Sequence, residues 1–269
     1  MIKIPVRTIL TMLTFLFGTA TLAAAQVCAI LPIQRTGKPS EVRQESVGSI
    51  QDCREALDYF QKDLEMRRIR KDTIREAWAL ARIGGIYLTI KDWPKAFDSY
   101  ERALPLFTEA KNRYGLWETL PGLAMAAREQ KRFAEFMTYA EESAAFFRDY
   151  GDGTAKMNEA LMYDKIAGVY IELGDETKAL AYYEKSLKVG RDENSRWKQA
   201  ETLTLMGRYY ETKGRRLEAV EAYRTALDLY LEDNRVFPGA RWDGQKIVPE
   251  ERFTEEMKDL REAIERLQK

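Results

Sequence analysis

No histidine occurs anywhere in the 269 residues. Its absence removes the commonest general base and the nucleophile–base pairs built on it. Neither a G-x-x-x-x-G-K-[ST] loop nor a G-x-G-x-x-G turn is present to cradle a phosphate. Two cysteines without histidine cannot complete the nitrogen and sulfur ligand set of a structural zinc site, so no metal and no cofactor are expected. Only 8 prolines and 16 glycines punctuate the chain, which argues against both a β-sandwich and a disordered polymer. Excess charge of either sign is also missing, because Lys+Arg and Asp+Glu are both 43. A nucleic-acid binder usually advertises a basic excess or stripe, and none is visible. Adjacent acids such as Glu141-Glu142 and Glu255-Glu256 read as solvated helix faces, since catalytic carboxylate pairs need burial in a cleft. The chain is therefore expected not to be an enzyme.

What is present is apolar residues, at 45%, and charged ones, at 32%, in a mixture that favours helix over a sizeable core. At the N-terminus Lys3 and Arg7 precede an uncharged run that reaches Ala23-Ala24-Ala25. Small residues at Ala23 and Ala25 fit cleavage of a signal peptide before Gln26. The apolar run continues through Ile33, long enough to serve instead as an uncleaved signal anchor, and the residues leave both possibilities open. Either one places the body outside the cytoplasm, periplasmic or secreted, because positive charge precedes the run. An oxidising compartment would allow Cys28 and Cys53 to pair.

From Ile50 onward the pattern is helical and repeats. Leu80, Ile83, Gly84 and Tyr87 share one helical face, and Ala96, Tyr100, Ala103 and Leu104 share the next. The layout returns at Ile166 to Tyr170 followed by Ala179, Tyr183 and Leu187. It returns again at Met206 to Tyr210 followed by Ala219, Tyr223 and Leu227. The column Ala56, Ala96, Phe136, Ala179, Ala219 steps by 40, 40, 43 and 40 residues, the longer step absorbed at Gly151-Asp152-Gly153. Recurrence of one supersecondary unit at this period means a solenoid. A further apolar column at Ile74, Tyr114, Met157 and Trp197 suggests longer helices. Gly174 and Gly214 suit left-handed helix ends, whereas Lys91 at the equivalent place is less favourable. Pro121 is expected to delay or kink its helix.

Small residues at Gly84, Ala124, Ala167 and Gly207, tyrosines at Tyr87, Tyr170 and Tyr210, and alanines at Ala96, Ala179 and Ala219 resemble the tetratricopeptide repeat. The repeat length of about 40 resembles an extended variety of the usual 34-residue unit. The resemblance implies an all-α, right-handed solenoid of antiparallel helix pairs with a C-terminal capping helix and no sheet. The chain then divides into a signal peptide or anchor (1–25), a linker (26–48) and a half-repeat plus four units (49–231). A loop (232–248) and the capping helix (249–269), opened by Pro249-Glu250-Glu251, complete it.

In this family the first helix of each repeat lines the concave surface. Carried over by position, that implies a groove of Trp78, Arg82, Leu88, Glu118, Met125, Arg128, Asp164, Lys165, Arg208 and Glu211. Apolar anchors among both signs of charge suit an extended polypeptide better than a nucleic acid. The expected function is a non-catalytic scaffold or adaptor binding a protein or peptide partner, with membrane contact only through an uncleaved anchor. The alternative is an envelope factor that meets glycan or a small molecule through loop 232–248, a length of loop that is uncommon without a function.

Overall fold

Every helix-to-helix turn in the repeat region is set by one residue with positive φ. In a computed structural model of the chain these residues are Lys71, Lys91, Lys111, Lys131, Gly151, Gly174, Asn194 and Gly214. They recur every 20 residues, apart from one step of 23 between Gly151 and Gly174. The turn at Lys91 shows how each works. Lys91 N–H donates to the Leu88 carbonyl and Asp92 N–H to that of Tyr87, which closes the outgoing helix with a Schellman motif. Asp92 then caps the next helix by accepting from Lys95 N–H. Asp72, Asn112, Asp152 and Asp175 cap in the same way. One left-handed residue and one cap make the connection, so successive helices must run antiparallel.

The structure describes residues 50–236, 239–242, 247–250 and 253–269. The signal and linker segments, with Cys28, lie outside them. The helices are α1 (Ile50–Ile69), α2 (Thr73–Thr89), α3 (Trp93–Glu109), α4 (Arg113–Glu129) and α5 (Phe133–Tyr150). They continue as α6 (Gly153–Glu172), α7 (Glu176–Asp192), α8 (Arg196–Thr212), α9 (Arg216–Val236) and α10 (Thr254–Gln268). Among the described residues no helix is long and apolar enough to cross a membrane. The contacts fall into two units, one ending at Phe136 and the other beginning at Met137, within α5.

In the first unit α2 and α4 pack side by side around α3. The Tyr100 ring fills the space that side chains at Gly84 and Gly122 would need: a Cβ would lie 2.9 Å from it at Gly84 and 2.6 Å at Gly122. Phe107, fully buried, lies against Gly115 and meets Trp78 edge-on with ring centroids 5.0 Å apart. In the second unit Tyr223 fills the same role against Gly207. Ala56, Ala96, Phe136, Ala179 and Ala219, the column read from the sequence, are all fully buried. Helix α10 closes the second unit by seating Met257, Leu260 and Ile264 in a cluster with Ala200, Ala219, Tyr223, Ala226 and Tyr230.

Four details differ from the sequence reading. Gly239–Trp242 (β1) pairs antiparallel with Ile247–Glu250 (β2), with Ala240 opposite Pro249, where a loop and the first turn of a helix were expected. A ribbon of two strands has two edges, and proline is tolerated there. Helix α10 accordingly starts at Thr254, after Phe253 in a left-handed conformation at φ 58°. Of the two outcomes expected at Pro121, the late start is not found, because the Asn112 cap fixes the start of α4 by accepting from Gly115 N–H at 2.8 Å and Pro121 lies inside the helix. Tyr114, assigned to a packed apolar column, is exposed in the first turn of α4.

The ring-on-glycine contact makes an opposed pair of predictions. Gly→Ala inside a helix should gain about 1 kcal/mol of propensity. At Gly207, however, the new Cβ would sit 2.5 Å from the Tyr223 ring. Overpacking of that kind costs roughly 1–3 kcal/mol, so Gly207→Ala is expected to lower the melting temperature. At Gly190 the nearest atom is Cγ of the flexible Gln199 side chain, at 2.9 Å, so Gly190→Ala should leave melting unchanged or raise it. Thermal unfolding followed by circular dichroism checks both.

Candidate interaction surface

The predicted groove residues of the first unit lie on α2 and α4, and three of them meet. With α2 and α4 drawn together over Tyr100, Arg82 Nη2 stands 3.4 Å from Glu118 Oε1. The same guanidinium lies 5.6 Å from the centre of the Trp78 ring, within cation–π range. Trp78, Arg82 and Glu118 are each half-buried, so the cluster is held in place yet open to solvent. Burial raises the Glu118 pKa above the usual carboxylate value, and Arg82 offsets only part of that rise. Below this surface, burial and then the Glu118 charge push the Tyr100 hydroxyl well above its ordinary range. Leu88, Met125 and Arg128 are also half-buried on α2 and α4.

The second unit treats its four predicted residues differently. Lys165 is half-buried on α6. Asp164 is only 5% exposed and does not line an open surface. Its carboxylate accepts from Lys198 Nζ at 2.6 Å and from Thr202 Oγ1 at 3.2 Å. Lys198, 1% exposed, also donates to Glu201 at 2.7 Å, and the Ser186 and Thr202 hydroxyls are 3.0 Å apart. Burial raises the Asp164 pKa against the pull of Lys198. For Lys198 burial works downward, but the carboxylates of Asp164 and Glu201 outweigh it and hold the pKa up. This is a structural network tying α6 to α8. Its sequence signal was the place of Asp164 in a column otherwise filled by Ala81, Pro121 and Thr204.

Arg208 and Glu211 face the chain's own last helix. Together with Thr204, Tyr223, Tyr230 and Arg266 they line a cavity of about 270 Å³ among α8, α9 and α10. Glu211 accepts from Tyr223 Oη at 2.9 Å and from Arg266 at 2.6 Å. Burial and the Glu211 charge raise the Tyr223 pKa. The Arg216 side chain donates to the Leu267 carbonyl, a second polar tie between α9 and α10. Sequence reading missed Arg266, which has no repeat column to mark it. Cys53 is buried and is not a free thiol.

Comparison with known proteins fits this architecture. Residues 157–232 match the tetratricopeptide repeat family. None of the curated proteins compared with the chain matches it. BtubC (BKLC) from P. vanneervenii shares the fold at 13% identity and TM-score 0.56, over 81% of this chain and 80% of that one. The apo form of RapI aligns at 15% identity and TM-score 0.61, over 81% of this chain and 54% of RapI. A Rap protein complexed with competence and sporulation factor aligns at 17% identity and TM-score 0.51, over 68% of this chain and 50% of that one. The chain thus spans about half the length of these Rap proteins, and at such identities the likeness is one of fold.

The buried network yields a double-mutant prediction. Asp164→Ala should destabilise by about 3 kcal/mol, because it leaves the buried Lys198 ammonium with the half-exposed Glu201 carboxylate in place of a buried partner. Replacing both partners, as in Asp164→Leu with Lys198→Met, should recover most of that loss. Chemical denaturation of the single and double variants measures the difference.

Proposed function

We propose that this chain is a non-catalytic interaction scaffold of the cell exterior or envelope, holding a protein or extended peptide against the first-helix face of its repeats. The observation that carries the reading is the Trp78–Arg82–Glu118 cluster, where an aromatic ring and an ion pair from two helices are presented together, half-buried, on one face. An aliphatic or aromatic side chain of the partner would cover Trp78, and polar backbone groups of the partner would bond to the neutral Arg82–Glu118 pair. A Rap protein of similar fold is complexed with competence and sporulation factor, which supports ligand capture by this architecture. The extended repeat of about 40 residues supplies the long helices on which the face is built. Location outside the cytoplasm rests on the N-terminal charge and apolar pattern, and the proposed Cys28–Cys53 bond belongs to the same reading.

Affinity capture from envelope extract, with the wild-type chain and with Trp78→Ala and Arg128→Glu variants, tests the surface. The expected result is one stoichiometric protein partner, recovered with wild type and reduced about tenfold or more by Trp78→Ala, because truncating an aromatic anchor costs about 2 kcal/mol or more. Helicity should be retained in both variants and melting in Arg128→Glu, whereas Trp78→Ala also loses its contact with Phe107 and should melt somewhat lower while staying folded. Equal recovery by all three proteins would remove this face from the reading. For the location, non-reducing mass spectrometry of protein taken from cells should yield a linked Cys28–Cys53 peptide, and two alkylatable thiols would count against it.

A further inference from the structure

The turn between α1 and α2 and the turn between α3 and α4 lie on one edge of the first unit. Phe107, near the end of α3, fixes this: it meets Trp78 in the second turn of α2 and Gly115 in the first turn of α4. The two helix starts therefore flank the same ring. That edge collects charge which the sequence spreads over two segments 40 residues apart. Arg67, Arg68, Arg70, Lys71 and Arg75 stand on one turn, Lys111 and Arg113 on the other. Of the acids there, Asp63 is engaged by Arg67, Asp72 by Arg75 and Glu76 by Arg68, and Glu109 is exposed. Within the described residues no ion pair engages Arg70, Lys71 or Lys111. The edge carries a local excess of cations, with Arg70, Lys71 and Lys111 outside its ion pairs, in a chain with no net charge.

The same edge exposes large apolar side chains. Ile69 is 76% exposed, Tyr114 71% and Met66 47%. Lysine at Lys71 and Lys111 also holds a left-handed conformation, at φ 55° and 50°, which glycine would adopt with less strain. Met66 and Ile69 close α1 and Tyr114 opens α4, so these exposed side chains flank the two turns and lie apart from the Trp78–Arg82–Glu118 cluster. Tips that carry an aliphatic and an aromatic side chain amid lysine and arginine match the water–lipid boundary. There the apolar tips enter the headgroup layer while the cations meet lipid phosphate and carboxylate.

We propose that the edge formed by residues 66–71 and 111–114 is a peripheral docking surface for an anionic lipid leaflet. It acts independently of any N-terminal anchor and leaves the α2–α4 face free for a partner.

Co-sedimentation of the full chain with phosphatidylcholine vesicles, and with phosphatidylcholine vesicles containing phosphatidylserine, tests the proposal. The apolar N-terminal run would bind both vesicles and its Lys3 and Arg7 would favour the anionic one, so the informative quantity is the part of the anionic gain that substitutions in the edge remove. That gain is expected to fall with added salt and to drop about tenfold or more in Arg70→Glu/Lys71→Glu. Ile69→Ser/Tyr114→Ser should weaken binding while keeping its salt dependence. Lys91→Glu/Lys131→Glu, in matching left-handed turns at the opposite helix ends, should bind as wild type. Equal partition onto both vesicles would overturn the proposal, as would an equal loss from the opposite-end variant or full binding by Arg70→Glu/Lys71→Glu.

Discussion

An aromatic ring pressed on bare helix backbone is the contact on which each unit depends. Tyr100 lies against both Gly84 and Gly122, and Tyr223 against Gly207, at distances that a methyl group at any of these glycines would violate. Helices separated by ordinary side chains pack with their axes about 8–10 Å apart. A missing Cβ lets the neighbouring helix approach and lets one tyrosine serve two faces. The consequences reach the surface. Because α2 and α4 are both drawn onto Tyr100, Arg82 and Glu118 come within ion-pair distance, and Trp78 is presented beside them.

The second constraint is the turn. Left-handed residues at a 20-residue interval, each followed by the next helix's cap or first cap position, leave little freedom in how one helix enters the next. In the first unit all four left-handed positions are lysines, which cost more than the glycines used at most such positions later in the chain. At two of them the cation also contributes to the basic edge.

Much of this was legible in the sequence because it is periodic. The small-residue and tyrosine columns repeat, so the burial of Ala56, Ala96, Phe136, Ala179 and Ala219 could be read from spacing alone. Trp78, Arg82 and Glu118 were identified for the same reason, as column positions on first helices. What escaped has no period. Asp164 is an acid in a column otherwise filled by Ala81, Pro121 and Thr204, and Lys198 reaches it from the next repeat and makes it part of the core. Glu211 looked free until α10 folded back and brought Arg266 to it, 55 positions along the chain. The ribbon at 239–250 depends on pairing between two short segments, which helical spacing cannot report. The basic edge was invisible because its halves lie on turns one repeat apart, and each half alone looks like an ordinary charged turn.

Tyrosine rings lie against glycine backbone in both units, and proton nuclear magnetic resonance reads that geometry without altering it. The Hα resonances of Gly84, Gly122 and Gly207 should be displaced from ordinary helical glycine values by the ring currents of the adjoining tyrosines. Tyr100→Leu should return the first two to normal values while leaving Gly207 in place. Unshifted glycine resonances in the folded wild-type chain would contradict the account.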